Sequence, residues 1–315
     1  MIDLGAGPLA LTIHEDLGGG IGRFDARRPD GSIVPLMRPA GADPQVFNDL
    51  ACYTMLPWVN RIDRGVLRFR DVEHRLETNW RDSDDLVHAI HGIICWHPMR
   101  IVDRGAHFCA LGFTSEDGQT PAWPWAFASE VRYELAADSL SITLMVENRS
   151  DEPMPASFGL HPYFTRRLPG GADDIRLTAP VATQVPALSL IPTGEPVESE
   201  LGGMLSRGAA LCDVRCDASF GGWSREALVE WPGSGVSIRM TADEVFEFLH
   251  LFTCQPTNAE ATEFRDPLPF VAIEPQTSVG NAVNLVEDGA GWTGVRILEP
   301  GQRLGGTVRF SVRLR

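Results

Sequence analysis

Three short segments of this chain set ionisable side chains between large apolar residues. They are Leu56-Pro57-Trp58-Val59-Asn60-Arg61-Ile62 with Gly65 just beyond, Phe158-Gly159-Leu160-His161-Pro162-Tyr163-Phe164, and Ala272-Ile273-Glu274-Pro275-Gln276-Thr277. An ionised group in such surroundings is costly unless it is paired or used. Arg61, His161 and Glu274 are therefore the residues whose chemistry needs explaining, and a histidine with a glutamate suits proton transfer. Taken singly, a buried His or Glu is more often a satisfied structural residue than a catalyst.

The elements that must hold these residues read as strands. Phe127, Val131, Tyr133 and Leu135 share one face with Ser129, while Glu130, Arg132 and Glu134 point the other way. After the polar connection 136–139, Leu140, Ile142, Leu144 and Val146 alternate again, which predicts an antiparallel hairpin. Val308, Phe310, Val312 and Leu314 repeat the pattern near the C-terminus, as do Val236, Ile238 and Met240 over a shorter run. Glycine and proline, 31 and 23 residues, interrupt nearly every stretch long enough for three helical turns. Short strands with frequent turns predict an all-β sandwich or barrel. No repeat or low-complexity linker divides the 315 residues, so one domain over 1–315 is expected. The Gly-rich stretches 167–174 and 202–208 read as surface loops.

Charge and composition narrow the partners. Asp plus Glu number 42 against 27 Lys plus Arg, a formal charge of −15. Such a surface repels phosphate backbones and anionic lipid, so neither nucleic acid nor a membrane is expected as a partner. The start carries no basic residues ahead of an apolar stretch, and no apolar run approaches the ~20 residues that span a bilayer. Six scattered cysteines fit reduced, mostly buried thiols in a cytoplasmic protein. Cys212 and Cys216 are four apart with no second close pair, so no metal site is expected.

In order and spacing the segments resemble the aldose 1-epimerase (galactose mutarotase-like) family. Asn60-Arg61-Ile62 with Gly65 is similar to its early Asn-Arg-Ile element, and His91-Gly92 to the His-Gly that follows. His161-Pro162-Tyr163-Phe164 resembles its His-Pro-Tyr-Phe signature. Pro192-Thr193-Gly194 resembles a middle turn, and Asp217-Ala218-Ser219-Phe220 falls where the family's substrate aspartate is expected. Ile273-Glu274-Pro275-Gln276-Thr277 is similar to the segment with the catalytic glutamate. The resemblance runs from about Gly18 to Phe310.

The resemblance implies a β-supersandwich of antiparallel sheets with a sugar in an open cleft. It implies mutarotation, the opening of a cyclic hemiacetal and its closure on the opposite face of the carbonyl. Glu274 would take the proton of the C1 hydroxyl and His161 would protonate the ring oxygen, with no cofactor and no metal. Each such transfer is typically worth ~10²–10⁴-fold in rate. A carboxylate near His161, from Glu274 or Asp217, would favour the imidazolium that the acid must start from. Arg61, His91 and Asp217 would bind the sugar, and Asn60 would brace its loop. Trp58 and Trp96 flank the segments, and His250 in Phe248-Leu249-His250-Leu251-Phe252 reads as a core or sheet-face residue.

Thr165 follows Tyr163-Phe164 where Asn is usual in the family, and Gly159-Leu160 precedes the His where more polar residues are common. Both bear on which sugar is used. Arg61, Arg64, Arg166 and Arg167 keep a phosphorylated or sulfonated sugar open, while His91-Gly92 favours an unphosphorylated one. Two other classes stand beside the epimerase. A non-catalytic sugar-binding protein would be expected to lack the His or the Glu. The other is a polysaccharide lyase or glycosidase; a hydrolase would need two carboxylates, for which Asp217 and Glu274 are available.

Overall fold

The computed structural model describes residues 1–81, 85–115, 123–169, 171, 174–253 and 268–314. Among these, two large antiparallel sheets dominate. The first has ten strands. Its order is Ile2–Ala6, Leu9–His14, Gly20–Arg27, Cys52–Met55, Gly159–Thr165, Phe270–Gln276, Phe248–Phe252, Asp217–Gly221 and Thr183–Gln184, with Ile33–Pro35 on the side of Gly20–Arg27. The second has nine: Arg100–Arg104, Phe108–Thr114, Phe127–Ala136, Ser139–Asn148, Arg303–Leu314, Val236–Ala242, Glu226–Trp231, Arg176–Thr178 and Ala209–Ala210.

The alternation in the sequence is realised in the second sheet. Phe127↔Asn148 through Ala136↔Ser139 pair in one unbroken register, with Phe127, Val131, Tyr133, Leu135 and Ser129 all buried. Val308, Phe310 and Val312 face the same core from the C-terminal strand. Apolar side chains of both sheets join in one contiguous cluster, from Ile2, Ile21 and Phe164 to Ile142, Ile238 and Phe310. Polar links cross it too: the Tyr133 hydroxyl donates to the Gly19 carbonyl at 2.6 Å, and Trp231 Nε1 to the Thr165 carbonyl at 2.8 Å.

Two α-helices are present among the described residues, Glu200–Arg207 and Ala282–Glu287. The first corrects the loop expected over 202–208. Ser199 caps it, its hydroxyl accepting from the Gly202 amide at 2.9 Å, and buried Leu205 anchors it. Gly208, at φ +88°, ends it. The cap and the anchor outweigh the low helix propensity of Gly202-Gly203. The other expected loop, 167–174, lies partly outside the described residues; exposed Arg167 belongs to an irregular stretch. Cys52, Cys95 and Cys109 are buried free thiols, Cys212 is exposed and Cys216 half-buried, while Cys254 lies outside the described residues. No helix of the described residues is long and apolar enough to cross a membrane.

Candidate active site

The chemistry-bearing residues come together on one face of the ten-stranded sheet, where strands distant in sequence are neighbours. In Gly159–Thr165 the even residues Leu160 and Phe164 point into the core between the sheets, so His161 and Tyr163 point the other way. The registers Gly159↔Gln276 and Tyr163↔Ala272 set His161 opposite Glu274 on the adjacent strand. His161 Nε2 stands 3.1 Å from Glu274 Oε1. Gln276 Nε2 donates to the other carboxylate oxygen, Oε2, at 2.9 Å. Glu274 is 1 % exposed and His161 7 %, so this is a pair almost removed from water.

Aromatic rings frame the imidazole. Tyr53 stacks on His161 with centroids 4.6 Å apart, Tyr163 lies at the same distance, and the His91 ring meets it edge-on at 5.2 Å. Arg38 covers the outer face of Tyr163 at 4.1 Å, and its Nη2 donates to the Asn48 and Leu50 carbonyls at 2.5 and 2.7 Å. Nothing in the sequence around Arg38 signals a place in the site; the cation over the Tyr163 ring emerges only from tertiary packing.

Arg61 and His91 are brought in by two tight turns that lock together. Asn60, at φ +52°, turns the chain so that its Oδ1 accepts from the Arg61 amide at 2.8 Å and from Arg61 Nη1 at 3.1 Å. The brace expected of Asn60 is thus present. Its carbonyl accepts from the His91 amide at 2.9 Å, and Arg61 pairs with Ile90 in a short antiparallel ladder. His91 and Gly92 both have positive φ, +63° and +73°. A Cβ on Gly92 would lie 2.1 Å from the Leu56 carbonyl oxygen, so only glycine fits there.

Asp217 also lies on this face, but its Oδ1 goes to His250 Nε2 at 2.7 Å. His250 is therefore part of the site and not simply a core residue. Its Nδ1 lies 2.8 Å from Ser219 Oγ, and it pairs in register with Ser219 on one side and Glu274 on the other. The sequence hid this because Phe248–Phe252 is buried on both faces and shows no alternation.

Electrostatically the site differs from the expectation for His161. Burial pushes the imidazole well below its ordinary value, and the nearby cations of His250 and Arg38 act in the same direction. His91 is depressed in the same way, by burial and then by His161 and Arg61. Burial raises the Glu274 carboxyl to about 7, against the opposing pull of His250. Of the two carboxylates that could favour the imidazolium, Glu274 is close to His161, yet burial overrides its attraction, and Asp217 is engaged with His250. The one proton that the pair shares therefore rests more readily on Glu274 than on His161.

The other flanking residues have contacts of their own. Trp58 stacks on Trp123 at 5.0 Å within the core, and Trp96 packs edge-on against Phe47 at 4.6 Å. Arg166 is buried on Asp174 at 3.0 Å and on the carbonyls of Leu211 and Thr253, while Arg64 is an exposed partner of Asp63. These arginines do not gather into an anion pocket. Among the described residues no group of three or more His, Cys, Asp or Glu is arranged to hold a metal ion.

The large antiparallel sandwich has counterparts among known proteins. The family model for aldose 1-epimerase matches residues 16–311, and the chain belongs to that family. The Escherichia coli (strain K12) protein YphB is 25 % identical over 247 residues, 78 % of each chain. Among solved structures, a galactose mutarotase-like protein from Clostridium acetobutylicum superposes with a TM-score of 0.82 at 20 % identity, covering 99 % of this chain and 95 % of its own. The GalM/aldose epimerase homologue from C. elegans gives 0.80 at 16 % identity, covering 99 % and 98 %. The fold is thus the galactose mutarotase-like β-supersandwich.

Proposed function

We propose that this chain is an aldose 1-epimerase that interconverts the α and β anomers of a free aldose, with His161 and Glu274 as its acid–base pair. The observation that carries the reading is the 3.1 Å contact between the buried His161 imidazole and the buried Glu274 carboxyl. Ring opening needs a proton to leave the C1 hydroxyl while another reaches O5. With the pair holding one proton on His161, Glu274 takes the first as His161 gives up the second. The pair ends with one proton on Glu274. Rotation about C1–C2 presents the other face of the aldehyde, and reversal of both transfers recloses the ring. No proton is gained or lost overall, so the cycle leaves the pair ready for the next turn. Each form of the pair carries one proton, so ring closure retraces ring opening with the two roles exchanged.

Arg61, His91 and Asp217 would bind sugar hydroxyls, using donors and acceptors held by the two locked turns and by His250. His91 Nδ1 and Gln276 Oε1 are buried without a hydrogen-bond partner among the described residues, and hydroxyls of a sugar would supply them. The substrate is a small sugar, handled by a single cytoplasmic unit over 1–315 without a cofactor, a nucleic-acid partner or a membrane. A phosphorylated sugar is less favoured, because Arg166 is committed internally.

The test is anomer equilibration of freshly dissolved α-D-glucose and α-D-galactose, followed by polarimetry or NMR exchange. His161→Asn and Glu274→Gln should each lose roughly 10²–10⁴-fold in acceleration while remaining folded. Binding without acceleration by the wild type, across neutral, phosphorylated and sulfonated sugars, would instead establish a sugar-binding protein.

A further inference from the structure

Across the ten-stranded sheet Ser219, His250, Glu274, His161 and Tyr53 form one row, each on the strand beside the last. His250 is the ionisable neighbour of Glu274 in this row for which proton transfer has no use. It is 4 % exposed, and both ring nitrogens are engaged. Nε2 faces Asp217 Oδ1 at 2.7 Å and Nδ1 faces Ser219 Oγ at 2.8 Å. An ionised carboxylate only accepts, so Nε2 carries a hydrogen. A serine hydroxyl accepts or donates, so Nδ1 is satisfied with or without one.

The surroundings then decide the charge. On one neighbouring strand stand Asp217 and Ser219, and on the other Glu274. Arg61 and His91 face the ring from the two locked turns, and His161 lies beyond Glu274. His91 and His161 are held towards neutrality, which leaves two carboxylates against one guanidinium. Burial opposes a proton on His250, but Glu274 and Asp217 outweigh it, and the ring is held above its ordinary value.

We propose that His250 is a positioning residue of this site: a buried imidazolium that ties Asp217 and Ser219 in place and keeps the adjacent Glu274 ionised. The proposal rests on the reading of Glu274 as the base. His250 acts through the two carboxylates and touches no reacting atom. Without it, Glu274 would face burial and the Asp217 charge together, and both hold a proton on the carboxyl. A base that keeps its proton cannot take one from the sugar.

NMR tests this apart from activity. The ring nitrogens of His250 and the Glu274 carboxyl carbon would be followed against pH in the wild type, His250→Gln and Asp217→Asn. Wild-type His250 should carry hydrogen on both nitrogens at neutral pH, and Asp217→Asn should make it lose one at lower pH. His250→Gln should raise the Glu274 titration by roughly one unit or more. The alkaline limb of the anomer-exchange profile should move with it. A neutral wild-type His250, or a Glu274 titration unmoved in His250→Gln, overturns the proposal. Should His250→Gln not fold, the His250 titration in Asp217→Asn decides alone. A wild type that accelerates no sugar defeats the epimerase reading, and the two titrations still decide the ion pair.

Discussion

A carboxyl group that takes a proton and later returns it works best when its proton affinity lies near the working pH. In Glu274 and His161 burial acts on the two groups in opposite directions, raising the carboxyl to about 7 and lowering the imidazole well below 6.5. The pair gives up its single proton near pH 7 and accepts a second only well below 6.5. The competent, singly protonated form lies between. We therefore expect kcat/KM for anomer exchange to fall as pH rises through about 7 and to fall again well on the acid side of 6.5. A profile flat through neutrality would contradict this. The same burial costs stability. Glu274 titrates near 4.5 when unfolded and near 7 when folded, so the folded state bears the full penalty above pH 7. Glu274→Gln should be more stable than wild type there, by on the order of 2–3 kcal/mol, and urea midpoints should converge as pH falls towards 4.5.

At the scale of elements, precision comes from turns as much as from strands. The Asn60 and His91-Gly92 turns hold each other through the Asn60 carbonyl, and Gly92 lies against Leu56 where no side chain fits. Gly92→Ala forces a Cβ into that carbonyl at positive φ. We expect it to lower unfolding free energy by more than ~1 kcal/mol in urea melts and to depress anomer exchange, because Arg61 and His91 move with the turn. The sequence made the period-two strands legible, since each has one wet and one dry face, and 127–148 is the clearest instance. It made Arg61, His161 and Glu274 legible as charges among apolar neighbours. The Glu200–Arg207 helix was illegible because its glycines masked a Ser199 cap. His250 and Arg38 were illegible because what gives each its place is contributed by remote segments.

For the molecule as a whole, the common core makes the site strands dependent on the opposite sheet. Phe164 packs at 6.2 Å from Phe310, which belongs to the C-terminal strand across the core. Phe310→Ala should cost about 3–5 kcal/mol, read as one shifted unfolding transition by circular dichroism and fluorescence alike. The pH profile of catalysis should stay in place, because no titrating group is touched. Separate transitions for the two sheets would refute that dependence.

The row of polar residues across the ten-stranded sheet also has a consequence in time. Its strands begin at Cys52, Gly159, Asp217, Phe248 and Phe270, and they are stitched together out of chain order. The 127–148 hairpin closes over a short loop, but the His161–Glu274 contact must wait for 113 residues to be looped out. Loop closure of that length is entropically dearer and slower than a hairpin's. A nascent or refolding chain can therefore possess much of its β-structure while lacking any trace of the active centre. By the same argument the proposed acid–base pair should be assembled late, after the local hairpins.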